Sequence, residues 1–254
     1  MDPNSFSKKS TSQMIVEYIL DQIQSGNIKK GDRIMTEHEF SELLGVSRVP
    51  IREALCVLST VGLLEARQGG GRYVTNEYNT DILGHMLYDY AILEDVSLEQ
   101  TMDVRFLLEP EIARKAAVFA TPEQRKHIWE ISTSYCVAAN SYSGTQSEFR
   151  DIIAMDHDFH QSIAEASKNP FLSMLFAIIT YSFEAFQHRR YERGGDHQQH
   201  WQTLSIEHLD IAKAILAQDG GSAYQAMTRH LQLIRYDIGW GSEKSDPPRP
   251  QLRG

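Results

Sequence analysis

Ile15, Ile19 and Ile23 recur every fourth residue between Thr11 and Ser25, with Tyr18 alongside, and this apolar stripe predicts an amphipathic helix. Gly26-Asn27 ends it, and Gly31-Asp32 marks a turn. Thr36, followed three residues on by Glu39, is a capping-box signature. It opens a second helix with Phe40, Leu43 and Leu44 facing inward and Gly45 as its stop. Ser47 caps a third, whose buried row is Ile51, Leu55 and Leu58. Beyond Gly62 the pattern changes. Leu63–Arg67 and Arg72–Thr75 are short segments joined by Gln68-Gly69-Gly70-Gly71, which predicts a β-hairpin with a flexible tip.

From about Ser97 onward the periodicity is helical throughout. A long helix runs from the Ser97 cap to about Ala120, with Pro110 inside it expected to kink it or shift its hydrogen bonding. Thr121-Pro122-Glu123-Gln124 combines a Thr cap, Pro at the first helical position and Gln three residues after the cap, a helix start. Further helices are predicted at about 146–167, 170–190, 201–218 and 221–238, with Asn169-Pro170 and Gly220-Gly221 as breaks. Residues 77–96 form a transition with room for a short helix. The polar, Pro-rich stretch 241–254 predicts a disordered tail, and the first six residues are expected to be disordered or left from cloning. The fold class is mainly α: three short helices and a small hairpin, then an all-α bundle.

Charge refines the division. The 254 residues carry a formal net charge of −9, which by itself speaks against nucleic acid as a partner. Yet residues 1–76 hold nine basic and nine acidic residues, so the whole −9 belongs to the rest of the chain. Cys56 and Cys136 lack metal-type spacing and fit a reducing compartment. No apolar run approaches a membrane span, and no signal-peptide core precedes Thr11, so a cytoplasmic protein with no membrane partner is expected.

In the third helix Arg48 and Arg52 are i, i+4 neighbours on the face opposite Ile51, Leu55 and Leu58. An inward apolar row with an outward arginine row suits a helix whose first turns meet base edges and phosphates. A Gly-rich hairpin tip flanked by Arg67 and Arg72 suits close approach to a backbone or minor groove. On periodicity alone, a helix surface with solvated arginines fits equally. The runs T-E-H-E-F-S-E-L-L-G-V-S-R-V-P-I-R-E-A-L (Thr36–Leu55) and G-L-L-E-A-R-Q-G-G-G-R-Y-V (Gly62–Val74) resemble the winged helix-turn-helix of the GntR family of bacterial transcription regulators. The resemblance implies DNA contacts from Ser47, Arg48, Val49 and Arg52 of the recognition helix, from Gly69, Gly70, Gly71 and Arg72 of the wing, and from Thr36 and His38. Two positions depart from the family pattern: Met35 stands where Pro is usual, and His38 stands where a DNA-holding Arg is usual. His38 carries less charge at neutral pH.

Asp156 and His160 lie four apart and share one helix face, beside the apolar Phe159 and Ile163. His208 and His230 each sit among apolar positions of two later helices. One Asp and three imidazoles suit Zn²⁺, Ni²⁺ or Mn²⁺, although by spacing alone any one histidine is more often a satisfied core or surface residue than a ligand. His157 competes as a ligand, Asp158 reads as surface, and Gly194–His200 reads as a polar loop with His197 and His200 exposed. The pattern D-x-x-x-H, N-P, E-H-x-x-I-x-x-A-I and M-x-x-H-L resembles the FCD effector domain of the FadR subfamily, in its metal-binding branch. That resemblance maps the metal ligands onto Asp156, His160, His208 and His230, and makes Arg105 a partner for an effector carboxylate, with pairing to Glu109 at i+4 the alternative.

The expected organisation is a winged helix-turn-helix DNA-binding domain over residues 7–76, a linker over 77–96, and a helical effector-binding and dimerisation domain over 97–240, followed by the tail. The expected function is a homodimeric regulator, a repressor, reading a palindromic operator under control of a small carboxylate such as a sugar acid or hydroxy acid bound at a divalent metal. A metal-dependent hydrolase and a metal sensor with no organic effector are the rival readings. No nucleophile motif or nucleotide-binding Gly loop supports an enzyme.

Overall fold

The structure, a computed structural model, describes residues 9–67, 70–76, 80–192 and 197–237. The expected disordered segments 1–6 and 241–254 lie outside the described residues. The chain divides into two compact units, Met1–Met86 and Leu87–Gly254.

In the first unit, α1 (Thr11–Gln24), α2 (Glu37–Leu44) and α3 (Arg48–Thr60) precede an antiparallel pair, β1 (Leu64–Ala66) and β2 (Arg72–Val74), with Glu65 opposite Tyr73. The predicted apolar rows converge on one core of Ile15, Ile19, Ile34, Phe40, Ile51, Leu55, Leu58, Leu64 and Val74. Leu43 is the exception: at 54 % exposure it faces outward, because Phe40 and Leu44 already define the inward stripe of so short a helix. Gly45 ends α2 at φ +66°, a left-handed conformation that glycine adopts without steric cost.

α4 (Asp81–Leu93) occupies much of the segment expected to be a transition, and it is longer than the short helix anticipated there. In the second unit, α5 (Leu98–Phe119), α6 (Pro122–Ser141), α7 (Gln146–Ala166), α8 (Pro170–Glu192), α9 (His197–Leu216) and α10 (Gly220–Asp237) form the bundle. α5 packs against α10, α6 against α9 and α7, and α9 against α10. Capping boxes open α5 at Ser97, α6 at Thr121 and α7 at Thr145. α5 continues through Pro110 as a single helix. α9 begins four residues earlier than expected, so His197–His200 are helical and not a polar loop. His197 and Gln198 supply no apolar periodicity to reveal this. Among the described residues no helix is long and apolar enough to cross a membrane.

Candidate metal centre and nucleic-acid interface

Around α2, α3 and the hairpin, local capping sets the positions of the expected DNA-facing residues. Thr36 Oγ1 accepts from the Glu39 amide at 3.3 Å, and the Glu39 carboxylate accepts from the Thr36 amide at 2.6 Å. Ser47 has the extended backbone of an N-cap, but its side chain makes no capping bond, unlike those of Thr36, Ser97, Thr121 and Thr145. Ser47, Arg48, Val49 and Arg52 are all exposed along the outer face of α3, opposite the buried Ile51, Ala54, Leu55 and Leu58.

Arg52 is not simply solvated. Its Nη2 donates to Glu37 at 2.8 Å and its Nε lies 3.2 Å from both carboxylate oxygens. Arg72 Nη1 reaches the same carboxylate at 3.8 Å. Glu37 thus ties the recognition helix to the wing strand, and the Arg52 hydrogen bonds hold its carboxyl below the usual range. His38 is exposed and lies 3.6 Å from Glu42 on the next turn. At the wing, Gly70 and Gly71 have φ of +90° and +119°, and a Cβ on Gly71 would lie 2.9 Å from Arg33 Nε. The Arg67 guanidinium lies 4.4 Å over the Tyr73 ring. Gly69, one of the expected contacts, lies outside the described residues.

Within the helical unit, Asp156 and His160 stand one turn apart on α7, held inward because Ile152, Phe159 and Ile163 anchor that side of the helix. His208 on α9 lies between Leu204 and Ile211, and His230 on α10 between Met227 and Leu231. All four are buried, with one ligand atom from each falling within 4.8 Å of all the others. His160 Nε2 and His230 Nε2 are 3.1 Å apart, and His208 Nε2 lies 3.4 Å from Asp156 Oδ1. Donors held about 2.1 Å from one ion stand roughly 3.0–3.4 Å apart in cis-octahedral or tetrahedral arrangements, so these separations fit a single first-row divalent cation. Asp156 Oδ1 and His208 Nε2 are buried with no hydrogen-bond partner, as expected of groups whose partner is an ion. Burial pushes the Asp156 carboxyl up and the His208 and His230 imidazoles well down, towards their neutral forms.

Two further residues border the cluster. Glu109 on α5 takes both Nε and Nη2 of Arg105, and its Oε2 lies 2.7 Å from His160 Nδ1. Burial alone would raise the Glu109 carboxyl, but Arg105 and His160 bring it down to about 2. Tyr135 on α6 sets its ring edge against His208, centroids 4.4 Å apart, and its hydroxyl is buried with no hydrogen-bond partner. Arg105 is therefore placed as in the Glu109-paired alternative. The R-x-x-x-E spacing signals that pair, whereas nothing in the sequence signals the reach of Glu109 to α7 or the place of Tyr135. His157 is half-buried and outside the cluster, Asp158 is exposed, His200 is half-buried against Trp201 instead of exposed, and the His197 side chain lies outside the described residues.

Comparison with known proteins agrees with both halves. Residues 11–74 match the profile for bacterial regulatory proteins, gntR family, and residues 100–233 match that for the FCD domain. The chain is 30 % identical to the Uxu operon regulator of Haemophilus influenzae, over 93 % of this chain and 85 % of that protein. It is 27 % identical to the HTH-type transcriptional repressor NanR of an Enterobacter species, over 93 % and 90 %. Among solved structures it is similar to the GntR protein of Streptococcus agalactiae, with a TM-score of 0.66 and 25 % identity over 89 % of this chain and 99 % of that one.

Proposed function

The chain belongs to the gntR family of bacterial regulatory proteins and carries an FCD domain, which makes it a DNA-binding transcription regulator with a small-molecule effector, and from that premise we propose that a divalent cation at Asp156, His160, His208 and His230 forms its effector site. The observation that carries this reading is the convergence of those four buried groups from three helices. Zn²⁺, Ni²⁺ or Mn²⁺ suits the donor set. With both carboxylates ionised, Arg105, Glu109 and Asp156 leave one net negative charge in the bundle interior, a costly arrangement that a cation relieves. When bound, the cation supplies an open coordination position for a small carboxylate such as a sugar acid or hydroxy acid. A divalent ion turns the net charge to plus one, which a monocarboxylate neutralises.

The chain acts in the cytoplasm as a homodimeric repressor on a palindromic operator, with Ser47, Arg48, Val49 and Arg52, the wing around Gly70–Arg72, and Thr36 and His38 at the DNA. The exposure of α3's outer face supports those contacts, and the name of the similar repressor NanR supports repression. Effector binding then favours a dimer geometry that no longer matches the two half-sites. Elemental analysis tests the cation: stoichiometric metal in the wild type, lost in Asp156→Ala and His208→Ala, is expected, and unchanged stoichiometry in both variants would sink the ligand set. Gel-shift titration on upstream DNA tests the rest. Sequence-selective binding released by a carboxylate is expected; release that tracks metal alone would make the ion itself the signal.

A further inference from the structure

We propose that Glu109 is a positioning residue of the cation site, fixing the His160 imidazole so that Nε2 faces the cluster, and that Arg105 serves as the counter-charge that keeps Glu109 in place. This rests on the cation reading above and concerns residues outside its ligand set.

An imidazole can present a lone pair to a cation from only one nitrogen while the other carries the proton, so whatever accepts that proton selects the ligating atom. For His160 the geometry makes the selection. Its Nδ1 lies 2.7 Å from a Glu109 oxygen, and an ionised carboxylate can only accept. Nδ1 therefore carries the hydrogen, and the Nε2 lone pair points to the space shared with His230, 3.1 Å away. Nδ1 is buried in all three imidazoles, and among the described residues only that of His160 has a carboxylate oxygen within ion-pair distance. Among the described residues, His160 is the imidazole of the three that faces a carboxylate outside the ligand set.

A carboxylate this deep would not persist alone. Glu109 and Arg105 are each only 2 % exposed, and the guanidinium engages both carboxylate oxygens, through Nε to Oε1 and through Nη2 to Oε2 at 3.3 Å. The pair spans one turn of α5, so the helix itself holds the carboxylate towards α7. Arg105 thereby acts on the site through Glu109. An effector carboxylate approaching this guanidinium meets a group already neutralised, so substituting Arg105 disturbs the cation site first.

The test is chelator-competition titration of the full chain with Zn²⁺, comparing wild type, Glu109→Gln and the double variant Arg105→Gln/Glu109→Gln, with folding checked by circular dichroism. Loss of the orienting carboxylate is expected to weaken Zn²⁺ about 10–100-fold in both variants while the four ligands remain. Partial recovery is expected in Glu109→Asp. Wild-type affinity in the folded double variant would overturn the proposal. If the wild type itself takes up no Zn²⁺, the cation reading fails instead, and the two failures are distinguishable. A second measurement needs no variant: long-range ¹⁵N–¹H spectra of ¹⁵N-histidine-labelled, Zn²⁺-loaded wild type should show His160 protonated at Nδ1 and metal-shifted at Nε2. The reverse assignment would overturn the proposal.

Discussion

If the proposed cation occupies the Asp156/His160/His208/His230 site, stripping it lowers the melting temperature of the helical unit by several degrees. Within the cluster two imidazole nitrogens stand 3.1 Å apart, and a buried carboxylate oxygen faces an imidazole at 3.4 Å. Burial drives Asp156, His208 and His230 towards neutrality, so the stripped cluster gains little from its own contacts. A cation that binds only the folded arrangement adds RT ln(1 + [L]/Kd), about 2.7 kcal/mol at a hundredfold excess over Kd. For a unit of this length each kcal/mol moves the midpoint by about 2–4 °C, which gives a shift of roughly 5–11 °C. The assay is calorimetry of EDTA-dialysed protein before and after reloading with Zn²⁺, with Asp156→Ala in parallel. The transition of the N-terminal unit should stay put and that of the helical unit should rise in the wild type only. A wild-type shift below about 1 °C at saturating Zn²⁺, or a full shift in Asp156→Ala, would refute the reasoning.

Three more outcomes are expected. Glu37→Gln removes the charge that engages Arg52 and Arg72, so non-specific DNA binding should strengthen at low salt and the salt slope should steepen by about one; an unchanged slope would show that neither arginine is released to phosphate. Leu55→Ala, at a position 1 % exposed on the buried side of α3, should destabilise the N-terminal unit by about 2–5 kcal/mol in denaturant melts, and a cost under about 1 kcal/mol would contradict the core assignment. Hydrogen bonds from the Ser143 hydroxyl and amide and from Thr145 lower the Glu148 carboxyl to about 2, so its stabilising effect is complete above about pH 4.5 and disappears as pH falls through about 2. The advantage of wild type over Glu148→Gln in melting temperature should therefore shrink between pH 5 and pH 2.5, and a gap independent of pH would count against that account.

Features decided within a few residues were legible from the chain alone. The Thr36/Glu39 and Thr121/Gln124 capping boxes, the Gly45 stop and the inward row of Ile51, Leu55 and Leu58 all depend on spacings of three or four, which one helical turn sets. The outward Arg48/Arg52 row was likewise visible in the i, i+4 spacing, and counting charge by segment removed the objection of the net −9. Where such signals are weak the chain is misleading: Leu43 turns outward, and the start of α9 at His197 carries no apolar period to announce it. The ligand set stood between these cases. Asp156 and His160 share a face by local geometry, but spacing left His208 and His230 ambiguous, and only the family resemblance joined them.

Tertiary structure decided everything that depends on two distant segments meeting. Glu37 grips Arg52 fifteen residues away, Glu109 on α5 reaches His160 on α7, and Tyr135 on α6 covers His208 on α9. No local period encodes those encounters, because they follow from how whole helices pack side by side. The sequence by itself determined the elements, their buried faces and the chemical types available at the site. Packing determined which imidazole nitrogen of His160 faces the Glu109 carboxylate and that Arg52 is engaged by Glu37, since in each case the charged group arrives from another helix.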